Sequence, residues 1–202
     1  MLFNEIKKIL SGKTVGIAGC GGLGSNAAVA LARVGVGTLI IADFDRVDET
    51  NLNRQYYFHD QMGQFKASAL KNNIEKINPS ILVHSHIITL DEQNVSKLFA
   101  GCDVIVEAFD LAEMKEMLIE TVQSEMPNIP LVSGVGMSGW GQNESIKTIR
   151  YDNLFIVGDG EIEASKETPP LAPRVGVVSN MMANVVLELL LGEMANETKP
   201  QQ

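Results

Sequence analysis

The stretch VGIAGCGGLGSNAAVALARVGVGTLIIADFD, residues 15–45, leaves this chain few folds to choose from. A short apolar run ends in Gly19, Gly21 and Gly24 in GxGxxG spacing. An Ala-rich segment with helical apolar spacing follows, and a second apolar run ends in Asp43. Strand, glycine turn, helix and strand form the unit that lays a helix N-terminus against a phosphate group. The glycines permit the tight turn and the close approach of backbone to ligand, and Gly22 adds a fourth inside the motif. An acid at the end of the second strand, here Asp43, can accept both ribose hydroxyls in an NAD or an ATP site alike. The turn therefore predicts a nucleotide without choosing one, and taken alone it favours NAD.

The rest of the chain repeats the alternation. Strands are expected at 14–19, 38–45, 81–90, 103–110 and 130–142, and helices at 25–35, 63–78, 91–101 and 111–126. Residues 145–151 and 154–158 read as two strands without a helix between them, which predicts an antiparallel extension near the C-terminus. The polar, acidic, Pro-containing stretch 158–174 reads as a mobile loop, 175–193 as a closing apolar helix, and 194–202 as a frayed tail. The expected fold is α/β and Rossmann-like, a mainly parallel sheet with helices on both faces, in one domain over 1–202. A ligand in such a sheet sits at the carboxyl ends of the strands. The glycine turn, Asp43, Asp45 and Asp110 all fall there.

Charge narrows the function classes. The 25 acidic residues outnumber the 16 basic ones, for a net charge of −9, and no Lys/Arg-rich block occurs. Nucleic acid and anionic membranes are poor partners for such a surface. The N-terminal MLFNEIKKILSGK has no signal-peptide pattern, and the apolar runs are broken short of a membrane span, so a soluble cytoplasmic protein is expected. Cys20 and Cys102 are too far apart for a CxxC site and each lies in an apolar segment, as core fillers do. His59, His84 and His86 have no ligand-spaced partners.

The segment DFDRVDETNLNRQYYFHDQMGQFK, residues 43–66, shifts the balance towards ATP. A pyrophosphate cradled by the glycine turn needs no further cations, whereas a triphosphate carries more charge. Asn51 and Arg54 are spaced to share a helical face, and Lys66 follows near the start of the next helix. The planar fork of arginine and the point charge of lysine suit a β/γ-phosphate and a pyrophosphate leaving group.

Together, GCGGLGS, DFDRVDETNLNRQ, GQFK and the strand-end EAFD resemble the ThiF/MoeB/HesA superfamily of ubiquitin-activating-enzyme-like adenylyltransferases, over residues 13–143. The segment LAPRVGVVSNMMANVVLELLLGE resembles, more loosely, the C-terminal helix region of a short ThiF-type branch. The resemblance implies ATP-dependent adenylation of the C-terminal Gly-Gly carboxylate of a small ubiquitin-like sulfur carrier, with pyrophosphate released. It implies that Gly22 lies against the nucleotide, Asp43 binds the ribose, Asn51 and Arg54 contact the phosphates, Lys66 neutralises their charge, and Asp110 holds Mg2+. A ThiS-like carrier of the thiazole pathway and a homodimer are implied as partners.

Departures from the family pattern also carry information. The two CxxC pairs that bind structural zinc in larger relatives are missing, so no zinc is expected. Residues 158–174 hold no cysteine, which points to a free acyl-adenylate as product. Lysines stand where relatives often place an N-terminal arginine, and Leu111 stands where an asparagine often follows the metal-binding acid. Asp45 and Asp48 read as turn acids, and Arg174 as either a contact for the carrier tail or a surface cap. An NAD-dependent oxidoreductase, a non-catalytic ATP- and carrier-binding module, and a carrier of the molybdopterin or another sulfur pathway remain the alternatives.

Overall fold

A computed structural model describes residues 1–161 and 164–192. The expected tail, 194–202, lies outside them. After helix α1 (Phe3–Leu10) come β1 (Thr14–Ala18), α2 (Gly22–Val34), β2 (Thr38–Ala42), α3 (Lys66–Ile77), β3 (Leu82–His86), α4 (Glu92–Phe99), β4 (Val104–Glu107), α5 (Ala112–Glu125), β5 (Leu131–Val135), β6 (Lys147–Tyr151), β7 (Leu154–Gly158) and α6 (Ala172–Leu191). The strands form one sheet in the order β3-β2-β1-β4-β5-β7-β6, in which only the β6–β7 pairing is antiparallel. This is the Rossmann-like α/β fold with the antiparallel extension expected from the sequence.

Two apolar layers clothe the sheet. Val15 and Ile17 of β1 join Leu23, Leu31, Leu70, Ile74, Val178 and Met182 of α2, α3 and α6 on one face, while Phe99, Leu118 and Val122 of α4 and α5 pack with Ile105 on the other. Strand side chains alternate between faces, so a run that is apolar at every position fills both layers at once. Among the described residues α6 is the one helix whose length and apolar composition reach those of a membrane span. It packs instead on α2, with Val175, Val178, Ser179, Met182 and Val186 buried.

Two helices begin earlier than the sequence pattern implies. The N-terminus of α2 is at Gly22 rather than Ser25, because the last glycines of the turn already form its first turn. That of α6 is at Ala172, inside the stretch expected as loop, with Pro173 in its first turn, where a missing N–H breaks no helical bond. The strands end sooner than their apolar runs, which leaves Asp43, Ala108 and Asp110 on loops just beyond the sheet.

The order of connections reverses at β1. From there the chain builds outward through β2 and β3, then returns to place β4 on the other side of β1. A crevice therefore opens between the loops after β1 and β4, the position at which doubly wound sheets bind ligands.

Candidate nucleotide site

The glycine turn after β1 is shaped by contact rather than by propensity. Gly19 has φ 93° and a side chain there would press on the Ala108 carbonyl, while a side chain at Gly24 would overlap the Gly19 carbonyl oxygen. Gly22 lies under Val175 of α6, whose methyl group would crowd a side chain there, and beside the stem of Arg54. No side chain caps α2 at Gly21. The first-turn amides, which have no carbonyl partner within a helix, are thus available as donors to an anion at the crevice.

Asp43 ties this turn to the next loop. Its carboxylate accepts the Cys20 N–H at 2.7 Å through Oδ2 and the Asp45 N–H at 2.7 Å through Oδ1. Burial pushes the Asp43 carboxyl above the usual range, and these two donors and nearby Lys66 only partly oppose it. Tyr57 supports the same corner from below, its hydroxyl donating to the Cys20 carbonyl at 2.7 Å.

The loop from Asp43 to Lys66 brings the cations to the crevice. Lys66, at the start of α3, is almost wholly buried and its Nζ lies 2.7 Å from Oδ2 of the half-exposed Asp45. Its backbone N–H donates to the Asp45 carbonyl at 2.8 Å. Asp45, expected as a turn acid, is therefore the partner that holds Lys66. Asp48 does serve as a turn acid: it caps the 3-10 turn Glu49–Asn51 by accepting the Thr50 N–H at 3.0 Å.

Asn51 and Arg54 stand within one turn of each other but do not converge. The Asn51 side chain accepts the Asp48 N–H at 3.1 Å, and Arg54 donates through Nη1 to the Thr50 carbonyl at 2.9 Å and to Asn53 Oδ1 at 2.7 Å. The chain runs here as a 3-10 turn followed by bends, which use these polar groups to satisfy the backbone locally. Burial lowers the Arg54 guanidinium, and Asp110 across the crevice opposes the shift, so the two charges feel each other.

Three groups that sequence reasoning did not single out hold the arrangement in place. Ser25 and Asn26 of α2 grip residues 54–56: the Ser25 hydroxyl accepts the Tyr56 N–H at 3.0 Å, and Asn26 Nδ2 donates to the Arg54 carbonyl at 2.9 Å. Gln55 is buried close to Gly21, and its Oε1 has no partner among the described residues. The RQ dipeptide after NLN could have drawn attention to Gln55; nothing local marks Ser25 and Asn26.

Arg174 takes a place that neither sequence reading anticipated. It is buried in the first turn of α6 and donates to Asp159 Oδ2 and to the Gly141 carbonyl. The loop between β7 and α6 is anchored further along, where Gly139 N–H donates to the Pro169 carbonyl at 3.0 Å and Asn53 Nδ2 to the Pro170 carbonyl at 3.2 Å. Its far end thus reaches the Asn51–Arg54 segment.

The donor set fits a nucleoside triphosphate. Helix amides, Arg54 and Lys66 offer positive charge near the glycine turn, Asp43 an acceptor just past β2, and Asp110 one exposed carboxylate beyond β4. A single carboxylate suits Mg2+, which is held largely by phosphate oxygens and water. Among the described residues no group of three or more His, Cys, Asp or Glu is placed to hold a metal without such help. Cys20 and Cys102 are both buried; burial pushes the Cys20 thiol well up and the Cys102 thiol up to about 12, so neither forms a ready thiolate.

The chain is similar to several known proteins. The family model described as the ThiF family matches residues 3–202. The adenylyltransferase and sulfurtransferase MOCS3 of Caenorhabditis briggsae is 36% identical over 190 residues, covering 91% of this chain and 47% of that protein. The molybdopterin-synthase adenylyltransferase of Haemophilus influenzae is 30% identical over 194 residues, covering 94% of this chain and 79% of its own length. The fold matches that of the Escherichia coli tRNA N6-threonylcarbamoyladenosine dehydratase TcdA solved with ATP, at a TM-score of 0.83 and 22% identity, over 92% of this chain and 88% of that one. The chain spans about half the length of the first curated relatives it matches.

Proposed function

The chain belongs to the ThiF family, and from that premise we propose that it adenylates the C-terminal carboxylate of a small ubiquitin-like carrier with ATP in a sulfur-relay pathway. The observation that carries this reading is the pair of cations set near the glycine turn, Arg54 and the Asp45-held Lys66, which a pyrophosphate-cradling NAD site has no use for.

In this reading a carboxylate oxygen of the carrier attacks the α-phosphorus of ATP. A new P–O bond forms, the α–β bridge breaks, and its electron pair leaves with pyrophosphate. The first-turn amides of α2 hold the phosphates and Asp43 accepts the ribose hydroxyls. Asn51 and Arg54 turn from their local hydrogen bonds to phosphate oxygens. Lys66 exchanges Asp45 for the leaving pyrophosphate, where fixed positive charge acts on the charge that develops. Asp110 would hold Mg2+, which neutralises phosphate charge when bound. The carrier is released as a free acyl-adenylate, because the loop 158–174 carries no cysteine and both cysteines are buried.

The finer assignment is a ThiS-like carrier of the thiazole pathway, supported by the resemblance of LAPRVGV, residues 171–177, to short ThiF-type chains. The similarity to a molybdopterin-synthase adenylyltransferase over most of that protein's length favours a molybdopterin carrier as the second reading. The proposal includes a homodimer in the cytoplasm. ATP–pyrophosphate exchange with purified ubiquitin-fold proteins ending in Gly-Gly tests it. Exchange is expected with one of the two carriers, falling by about 100-fold or more in Arg54→Ala and Asp110→Ala. Failure with both carriers, by protein that binds ATP, would contradict it.

A further inference from the structure

The carboxyl end of β4 carries a charge pair that the adenylation reading leaves unused. Glu107, the last residue of β4, has no exposed surface and sits in register between Ala18 of β1 and Ser133 of β5. Its Oε1 accepts the Phe109 N–H at 2.7 Å. Its Oε2 accepts the Ser133 hydroxyl at 2.6 Å and the Lys115 ammonium. Lys115, one turn into α5, makes a second bond to the Gly134 carbonyl at 3.0 Å. One carboxylate thus fastens both ends of loop 108–111 to each other and to β5.

Asp110 stands in the middle of that loop, exposed to the crevice. The near side of the loop rests on the glycine turn: the Ala108 N–H donates to the Ala18 carbonyl at 2.9 Å, and the Ala108 carbonyl lies where a side chain at Gly19 would fall. On the far side, where α5 packs into the core through Leu118 and Val122, the polar tie to the sheet is the Glu107–Lys115 pair. A buried ion pair is a poor device for stability, since desolvation offsets most of the attraction and neutral groups of similar volume are often as stable or more so. What this pair supplies is direction, because a carboxylate with three fixed donors admits one arrangement of the loop.

We propose that Glu107 and Lys115 are positioning residues that aim the Asp110 carboxylate at Mg2+-bound phosphate. The proposal rests on the reading of Asp110 as the Mg2+ ligand. Groups that orient a metal ligand without touching the metal typically contribute 10- to 100-fold to metal affinity, and this pair would act in that way.

Calorimetric titration of ATP into the full chain, with Mg2+ and with EDTA, tests it in wild type, Asp110→Asn and the double variant Glu107→Gln/Lys115→Met. Thermal unfolding is followed alongside. Gln at 107 retains an acceptor for the Phe109 N–H, and Met at 115 retains most of the stem. In the double variant ATP affinity without Mg2+ is expected to match wild type, while the gain on adding Mg2+ falls about 10-fold or more. Adding Asp110→Asn to it then brings no further loss. A Mg2+ gain within about twofold of wild type would overturn the proposal, as would an equal loss of affinity in EDTA, which marks a merely structural role. If the double variant does not fold, Glu107→Gln alone carries the same expectations. Wild-type protein that binds ATP in EDTA and gains nothing from Mg2+ would instead overturn the reading of Asp110, and the proposal with it.

Discussion

Two ion pairs, Lys66–Asp45 and Arg174–Asp159, are alike in chemistry and opposite in setting. Arg174 and Asp159 are both almost wholly buried, whereas Lys66 is buried but its partner Asp45 is half exposed. Water competes for a carboxylate only where it can reach it. The Asp45 end can therefore be given up to solvent when an anion approaches Lys66, and the Asp159 end cannot. The same contact serves as a latch in one place and as a permanent tie in the other. The first stands beside the glycine turn and the second at the root of the loop that leads into α6.

The largest expected effect is at the buried pair. Arg174→Ala removes the cation facing a buried carboxylate and frees the Gly141 carbonyl, and is expected to destabilise the protein by about 3–5 kcal/mol in denaturant unfolding. Asp45→Asn is expected to change stability by less, about 1 kcal/mol, because the charge it removes is half solvated and the amide oxygen that remains can still accept from Lys66. Equal effects of the two substitutions would erase the distinction.

A smaller effect belongs to Asp43, which shares the crevice with the Lys66 pair. Its folded-state carboxyl is raised by burial above its unfolded value, so the folded protein holds that proton more tightly. As pH rises from the ordinary aspartate range through the raised value, the unfolded state ionises first and stability falls. Unfolding free energies measured across that window should show this fall in wild type and not in Asp43→Asn. An unchanged slope in the variant would remove Asp43 as its source.

Much of this was legible in the sequence, for physical reasons that also explain what was not. The glycine turn, Asp43 and Asp110 lie just past strand ends and Lys66 at a helix start, where the period changes and polar residues interrupt apolar runs. Such breaks are local signals. Glu107 gives none, since it sits inside an apolar run and its partners lie 8 and 26 residues further on. Only the pairing of β4 with β5 and the packing of α5 bring them together. Arg174 was hidden by the prolines around it, which read as loop although Pro173 is compatible with a first helical turn. Asp45 resembles any acid that follows a strand until the fold of 43–66 sets Lys66 beside it.

Calorimetric titration of wild-type and Lys66→Met protein with ATP and with NAD tests whether Lys66 makes this an ATP site. Wild type is expected to bind ATP in preference to NAD, and Lys66→Met to lose about 10-fold or more of its ATP affinity, the strength of a charge-assisted phosphate contact. Preferential binding of NAD, or ATP binding indifferent to Lys66, would contradict that expectation.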